Sequence, residues 1–165
     1  LDQPLQRSVG ILELLATLKD AEADLLARHK AMTTVPYNGL AERSSERIYL
    51  NSQGACRQQQ FTTASLYLYA RAEEAGRKPR SAGAVRLAYG ADDLDVSGCI
   101  REAAERTIAH LDYIPMSTGH YTCVFSPEAF LDLIGAFSSL FNARAVLDGV
   151  SLSTRDSIGE AIAVP

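Results

Sequence analysis

The run from Gly119 to Ala145, GHYTCVFSPEAFLDLIGAFSSLFNARA, constrains the fold more than any other part of this chain. It opens with a segment that reads as a short strand, His120 to Phe125, and continues into a helix with almost no polar face. Ser126 offers an N-cap oxygen, Pro127 sits where its missing N–H costs nothing, and Glu128 places a negative charge in the first turn. Ala129, Phe130, Leu131, Leu133, Ile134, Ala136, Phe137, Leu140 and Phe141 follow, and Asp132 is the only charge before Arg144. A helix apolar all round is expected to be buried on every side, in the core or under a large partner interface. It falls well short of the roughly 20 apolar residues that cross a bilayer, so a membrane span is not expected.

The remaining elements fall into place around it. Ile11, Leu12, Leu14, Leu15, Leu18, Ala21, Leu25 and Leu26 recur at helical spacing, with Lys19, Asp20, Glu22, Asp24 and Arg28 mainly on the other side. Ile48 and Leu50 alternate with Arg47 and Tyr49, and Asn51-Ser52-Gln53-Gly54 is a turn signal. Leu66, Leu68, Ala70 and Ala72 share one strand face, opposite Tyr67, Tyr69 and Arg71. Val85, Leu87 and Tyr89 alternate in a return strand, and Glu74 to Gly83, with Gly76 and Pro79, reads as a long hairpin loop between the two. A second helix is predicted from about Ser97 to Asp112, with Cys99, Ile100, Ala103, Ala104, Thr107, Ile108 and Leu111 as its apolar stripe and Glu102 poised to pair with Arg106. A final strand is predicted over Ala161 to Val164. The order implies an α+β fold: a mostly antiparallel sheet with a long hairpin, packed by about three helices. Residues 1–165 read as one α+β unit, and the leucine start and the stop inside an apolar run read as an excerpt from something longer.

Composition narrows the function classes. The chain has 16 Lys and Arg against 20 Asp and Glu, a net charge of −4, which argues against a phosphate-binding surface and so against direct nucleic-acid binding. No signal peptide, transit peptide or membrane span is visible. Cys56, Cys99 and Cys123 are odd in number and far apart, the pattern of reduced structural thiols in a cytoplasmic protein.

The residues that could carry chemistry are scattered. His29 and His110 fall near helix C-termini, where a cation favours the dipole, and His120 has no nucleophile paired with it. Asp92, Asp93 and Asp95 lack the spacing and terminal glutamate of a calcium loop, and read instead as the start of the second helix. Asp20, Glu22 and Asp24 read as a solvated helix face. Arg77, Lys78 and Arg80 make a basic patch at a hairpin tip or partner contact. Ser151, Ser153 and Ser157 have no histidine and aspartate frame around them, and no glycine-rich phosphate loop is present.

Four segments carry a resemblance in the same order along the chain. G-x-Y-x-x-V-F-S-P-E-x-x-x-x-L-I-x-x-F from Gly119, Arg47–Ala55 (RIYLNSQGA), Leu66–Gly83 (LYLYARAEEAGRKPRSAG) and Ser151–Val164 (SLSTRDSIGEAIAV) together resemble the TldD/PmbA family, once called modulators of DNA gyrase and regarded as metallopeptidase subunits. In the metal-bearing subunit of that family the apolar helix carries H-E-x-x-x-H, two histidines for zinc and a glutamate for the metal-bound water. The resemblance puts Gly135 and Ala136 where the first His and Glu would stand, and Leu140 at the second His. None binds a metal or moves a proton, so no catalytic, cofactor-binding or metal-ligating residue is expected in this segment. That departure is the mark of the PmbA (TldE) type of subunit. The resemblance therefore implies a non-metal-binding subunit of a peptide-processing complex, a homo- or heterodimer with a TldD-like partner that would carry zinc. It also implies an unfolded or small peptide as substrate, and that this chain is the middle portion of a longer protein, without most of the first domain and all of the last. Strand edges suit an extended peptide by β-addition. The alternative reading is a non-catalytic peptide-binding or scaffold protein that keeps the fold without the chemistry.

Overall fold

The computed structural model describes residues 9–161. The backbone divides into two compact units, residues 1–115 and 116–165, where the sequence alone reads as one α+β unit.

In the first unit, α1 (Ile11–Ala27) leads into three strands, β1 (Met32–Leu50), β2 (Cys56–Ala72) and β3 (Arg80–Ala88). They form one antiparallel sheet in the order β1-β2-β3. A 3-10 turn, Ala91–Asp93, then introduces α2 (Val96–Ala109), which ends in a second 3-10 turn, His110–Asp112. The fold is α+β with an antiparallel sheet, as the sequence order predicts.

Strand β2 sets the core. From Thr62 to Ala72 its even-numbered residues are all buried, while Thr63, Tyr67, Tyr69 and Arg71 are exposed and Ser65 half-buried. The pleat sends alternate side chains to opposite faces, and only the even face is covered. Leu66 and Leu68, fully buried, meet Ala21 and Leu25 of α1, Met32 and Val35 of β1, Ala84 of β3, and Cys99, Ile100, Ala103 and Ala104 of α2. Alanine at positions 64, 70, 84, 103 and 104 lets the helices approach the sheet closely. On α1, Leu14, Ala21 and Leu25 fall on one stripe and are buried; Ile11, Leu12 and Leu15, predicted to share it, are exposed.

Charged groups at the rim of this core are paired. Glu42 of β1 accepts from the backbone N–H of Val9 at 3.1 Å and of Ala91 at 3.0 Å, tying the segments before both helices to the sheet. Glu22 accepts from Asn38 Nδ2 at 2.7 Å, so only part of the acidic run on α1 is a solvated face. Glu102 lies between Arg86 at 2.5 Å and Arg106 at 2.6 Å, the helical pair the sequence predicts with a strand arginine added. Asp95 caps α2 through the Gly98 N–H at 2.9 Å, so the helix starts one residue before the predicted Ser97.

Three expectations need correction. The strand carrying Arg47–Leu50 begins at Met32, far earlier than the alternation suggests, with register shifts on either side of Thr34 and Pro36 within the second of them. The hairpin loop between β2 and β3 is shorter than predicted, because β3 already starts at Arg80. No strand forms over His120–Phe125, which is irregular; a strand needs a hydrogen-bonded neighbour, and none stands beside this segment among the described residues. The final strand predicted at Ala161–Val164 lies almost wholly outside the described residues. No helix is long and apolar enough to cross a membrane among those described.

Truncating Leu68 to Ala should cost about 2–5 kcal/mol of unfolding free energy, the range for a buried leucine in a close-packed core, measured by urea denaturation. The hydrogen bond from Arg86 holds the Glu102 carboxyl below its ordinary value of 4.5. A depressed folded pKa contributes stability above the unfolded value that is lost as pH falls through the folded one. Glu102→Gln should therefore lower stability at neutral pH by about 1 kcal/mol and make its fall below pH 4.5 shallower, read from denaturation midpoints against pH.

Candidate functional site

The second unit contains the apolar helix. Helix α3 spans Pro127–Phe137, and a 3-10 turn, Ser138–Phe141, continues it. The predicted start is present: Ser126 Oγ accepts from the Ala129 N–H at 3.3 Å, with Pro127 in the first turn. Asn142 then caps α4 (Ala143–Leu147) through the N–H groups of Arg144 and Ala145. Gly149, at φ +71°, turns the chain back so that Val150 and Ser151 donate to the Ala145 carbonyl.

Of the two expected covers for α3, the core of this chain and a large partner interface, the first is not found among the described residues. None of its residues is buried; Phe130, Leu131, Ile134 and Phe137 are all about half or more exposed. Among the described residues the second unit supplies a 3-10 turn, the five residues of α4 and irregular chain, too little to surround a helix. The result is a contiguous apolar surface of the kind that marks an interaction site.

The three positions singled out on this helix sit differently. Gly135 and Ala136 lie on the last turn of α3, where the Gly135 carbonyl accepts from Ser138 Oγ at 2.7 Å. Leu140 falls in the 3-10 turn beyond it and lines a cavity of about 710 Å³ with Phe141, Val146, Leu147 and Ile158 on one part of the wall and Ser153, Thr154, Arg155, Ser157 and Glu160 on the rest. Hydrogen and hydrocarbon side chains offer a metal no donor atom, so these residues do not fit zinc. Among the described residues no group of three or more His, Cys, Asp and Glu is placed to hold a metal.

Most of the other candidates have structural partners. His29 Nδ1 accepts from the Ala31 N–H at 3.2 Å just past α1, and His110 is the C-cap of α2. His120 lies exposed in the irregular chain before α3. Ser151 and Ser157 hydroxyls accept from the Ser153 and Thr154 N–H groups, turn roles that leave no nucleophile positioned. Cys99 is buried and contacts the Ala84 carbonyl at 3.6 Å, and burial pushes its thiol pKa up; Cys56 and Cys123 are exposed, and all three are free thiols.

The basic patch proves to be a clasp. The Arg80 guanidinium lies 3.5 Å and that of Arg77 5.0 Å from the centroid of the Tyr113 ring, and Arg77 Nη2 donates to the Tyr113 carbonyl at 3.2 Å. The hydrogen bond from Arg80 draws the Tyr113 phenol below its ordinary pKa. The two arginines fasten the end of the first unit to the β2–β3 loop through cation–π stacking.

The uncovered face of the sheet was not singled out by the sequence. The ring of Tyr67 lies over Gly39 and that of Tyr69 over Gly83, so close that a Cβ on either glycine would fall about 2.5 Å from ring atoms. With Tyr37, Val85 and Leu87, all exposed, these rings pave one end of the open face. The signal was in the sequence: Tyr67 and Tyr69 are the odd members of a strand whose even members form the core.

The chain matches two family models. Residues 4–111 match the PmbA/TldA metallopeptidase central domain and residues 118–165 the PmbA/TldA metallopeptidase C-terminal domain. Among solved structures it is similar to a protein from Thermotoga maritima named as a candidate modulator of a DNA gyrase, with a TM-score of 0.72 and 24% identity over 91% of this chain and 36% of that one. A second, from Bacteroides thetaiotaomicron and named likewise for DNA gyrase, gives 0.68 and 20% identity over 85% of this chain and 32% of the other. These two likenesses concern the fold, and the chain spans about a third of each structure's length. No curated protein matches.

The exposure of α3 has a measurable consequence. Leu131 is 67% exposed, and lysine is nearly as good a helix former as leucine. Leu131→Lys should therefore change the unfolding free energy by no more than about 0.5 kcal/mol, measured by urea denaturation; a loss of several kcal/mol would mean that the helix is buried.

Proposed function

The chain belongs to the PmbA/TldA metallopeptidase family, and from that premise we propose that it acts in the cytoplasm as the subunit without the metal motif in a two-subunit peptidase. Its partner would be a related chain that carries H-E-x-x-x-H and the zinc. This chain would supply fold, interface and part of the surface that holds an unfolded or small peptide substrate.

One observation carries the reading. The helix that bears the metal motif in the active type of subunit here has Gly135, Ala136 and Leu140 at the motif positions, and its apolar side chains are uncovered. A helix released from metal binding and left with an apolar surface suits association better than catalysis. The long edge of β1 adds a second support: among the described residues no strand pairs with its outer side, and such an edge suits an extended peptide. The edge of β3 suits it less. Thr107 Oγ1 donates to the Ala82 carbonyl at 3.1 Å, and Cys99 and Arg106 of the same helix reach the Ala84 and Gly83 carbonyls.

The test is co-purification of this protein with a paralogue bearing H-E-x-x-x-H, followed by cleavage of an unstructured peptide by each chain and by the mixture. The mixture should cleave, this chain alone should not, and Leu131→Lys with Ile134→Lys should weaken association by about tenfold or more through loss of apolar contact. Cleavage by this chain alone would overturn the assignment of roles. Failure of the two chains to associate would favour a non-catalytic scaffold.

A further inference from the structure

Strand β3 stops short of the strands it joins. Its last residue, Ala88, stands opposite Ala64 of β2. The chain then turns onto the helix-covered face, where the Ala91 N–H donates to the Glu42 carboxylate at 3.0 Å. Strands β1 and β2 run on together, from Arg43↔Thr63 to Leu50↔Cys56. Among the described residues no strand lies beside Cys56–Thr63 on the side away from β1. The two strands project there as a ribbon exposed over most of its length, and an isolated two-stranded ribbon is marginally stable in water.

The free edge of this ribbon is equipped to pair. The Leu68 carbonyl oxygen lies against Gly83 of β3, so the even-numbered residues of β2 turn their N–H and C=O groups away from β1. No register shift interrupts the β1–β2 ladder from Tyr37 onward, so Gln58, Gln60 and Thr62 present theirs along the free edge. The devices that usually guard an edge are missing: no lysine, proline or bulge falls within Cys56–Thr63. Arg57 is the one charge there, on the open face with Arg43 and Arg47. Its Nη1 donates to the Cys56 carbonyl at 3.0 Å, which covers only the end of the edge.

We propose that this edge pairs antiparallel with the same edge of a second copy of the chain, about a twofold axis at Gln59. The bounds of the edge select both occupant and register. A twofold normal to the sheet keeps the same face up in both copies, so odd-numbered residues oppose odd-numbered ones. A register centred on Gln60 would set Cys56 against the partner's Ala64, which β3 already holds. Centred on Gln59, the edge is used from Cys56 to Thr62: Cys56 meets Thr62, Arg57 meets Phe61, Gln58 meets Gln60 and Gln59 meets itself. No like charges are opposed, and Arg57 gains an aromatic ring for its guanidinium. Gln58 and Gln60 both donate their side-chain amides to Glu46 Oε1, which orients them for each other across the axis. The edge of β1 offers no such match. A twofold at any residue from Glu42 to Arg47 opposes arginine to arginine or glutamate to glutamate. Pairing through β2 therefore joins two ribbons into one four-stranded sheet and leaves the edge of β1 open. It uses no residue of α3 and does not rest on the subunit reading above.

Sedimentation velocity of this protein alone, over a concentration series, should show a monomer–dimer equilibrium. Gln59→Lys sets two cations face to face on the axis and should weaken the dimer at least about tenfold, with part of the loss recovered in high salt. Circular dichroism should be unchanged, because Gln59 is exposed. Disulfide trapping with oxidised glutathione, in a Cys123→Ser background, reads the register. Gln59→Cys, combined with Cys56→Ser, brings two thiols together in a non-hydrogen-bonded pair with Cα atoms about 4.5 Å apart, within reach of a disulfide. The native Cys56 stands about 20 Å along the strand from its counterpart and should give linked dimer at least about tenfold more slowly. A monomer at every concentration, a Gln59→Lys dimer as tight as the wild type, or trapping through Cys56 as fast as through Gln59→Cys would each overturn the proposal. Assembly with a paralogue bearing H-E-x-x-x-H is measured separately, so self-association can fail while the subunit reading stands.

Discussion

The alternation along β2 is the constraint on which the first unit depends. This central strand pairs with β1 on one side and β3 on the other, so its pleat fixes which face of all three strands is dry. A slip of one residue would turn Leu66 and Leu68 to water and bring Tyr67 and Tyr69 under the helices. Every other arrangement follows from that phase. Both helices lie on the even face, Glu42 and Glu102 reach from the sheet and from α2 to tie the rim, and the odd face keeps its tyrosines and unpaired arginines.

The two units are stabilised in different ways. The first has a closed core of leucine and alanine, in which the fully buried Thr107 hydroxyl lies 2.7 Å from the Ala103 carbonyl and 3.1 Å from that of Ala82 and shares its one proton between them; the Arg80 Nε is buried without a hydrogen-bond partner. The second has capped and turned helices but buries none of the residues of α3. Its local structure is well specified by Ser126, Pro127, Asn142 and Gly149, while its hydrophobic surface is left without a counterpart among its own elements. A surface so composed makes physical sense as part of an assembly, which joins the exposure of the helix to the role proposed for it.

What the sequence made legible divides along physical lines. Local signals were readable because they are short-range: the α1 stripe around Leu14, Ala21 and Leu25, the Ser126-Pro127 helix start, the Asn51–Gly54 turn and the phase of β2. The early half of β1 was not, because Thr34, Asn38, Glu42 and Ser44 show no hydrophobic alternation and are held in a strand by pairing with β2. The same reasoning applies in reverse to His120–Phe125, which finds no partner strand among the described residues. Periodicity also says which side chains are apolar without saying what covers them, so the exposure of Phe130 and Leu131 lay beyond it. Gly135, Ala136 and Leu140 became informative only through resemblance, since nothing in their own chemistry marks a site. The open face of the sheet was implicit in β2 but needed the register of β1 to show that its arginines share it.

The account rests on the claim that the helix after Ser126 has lost the metal. Metal analysis by mass spectrometry, on this protein purified alone and equilibrated with zinc before desalting, tests that claim most directly. The account predicts zinc far below stoichiometric in the isolated protein and near one zinc per pair once a subunit with H-E-x-x-x-H is added. Retention of stoichiometric zinc by this protein alone would contradict it, and would require ligands other than Gly135, Ala136 and Leu140.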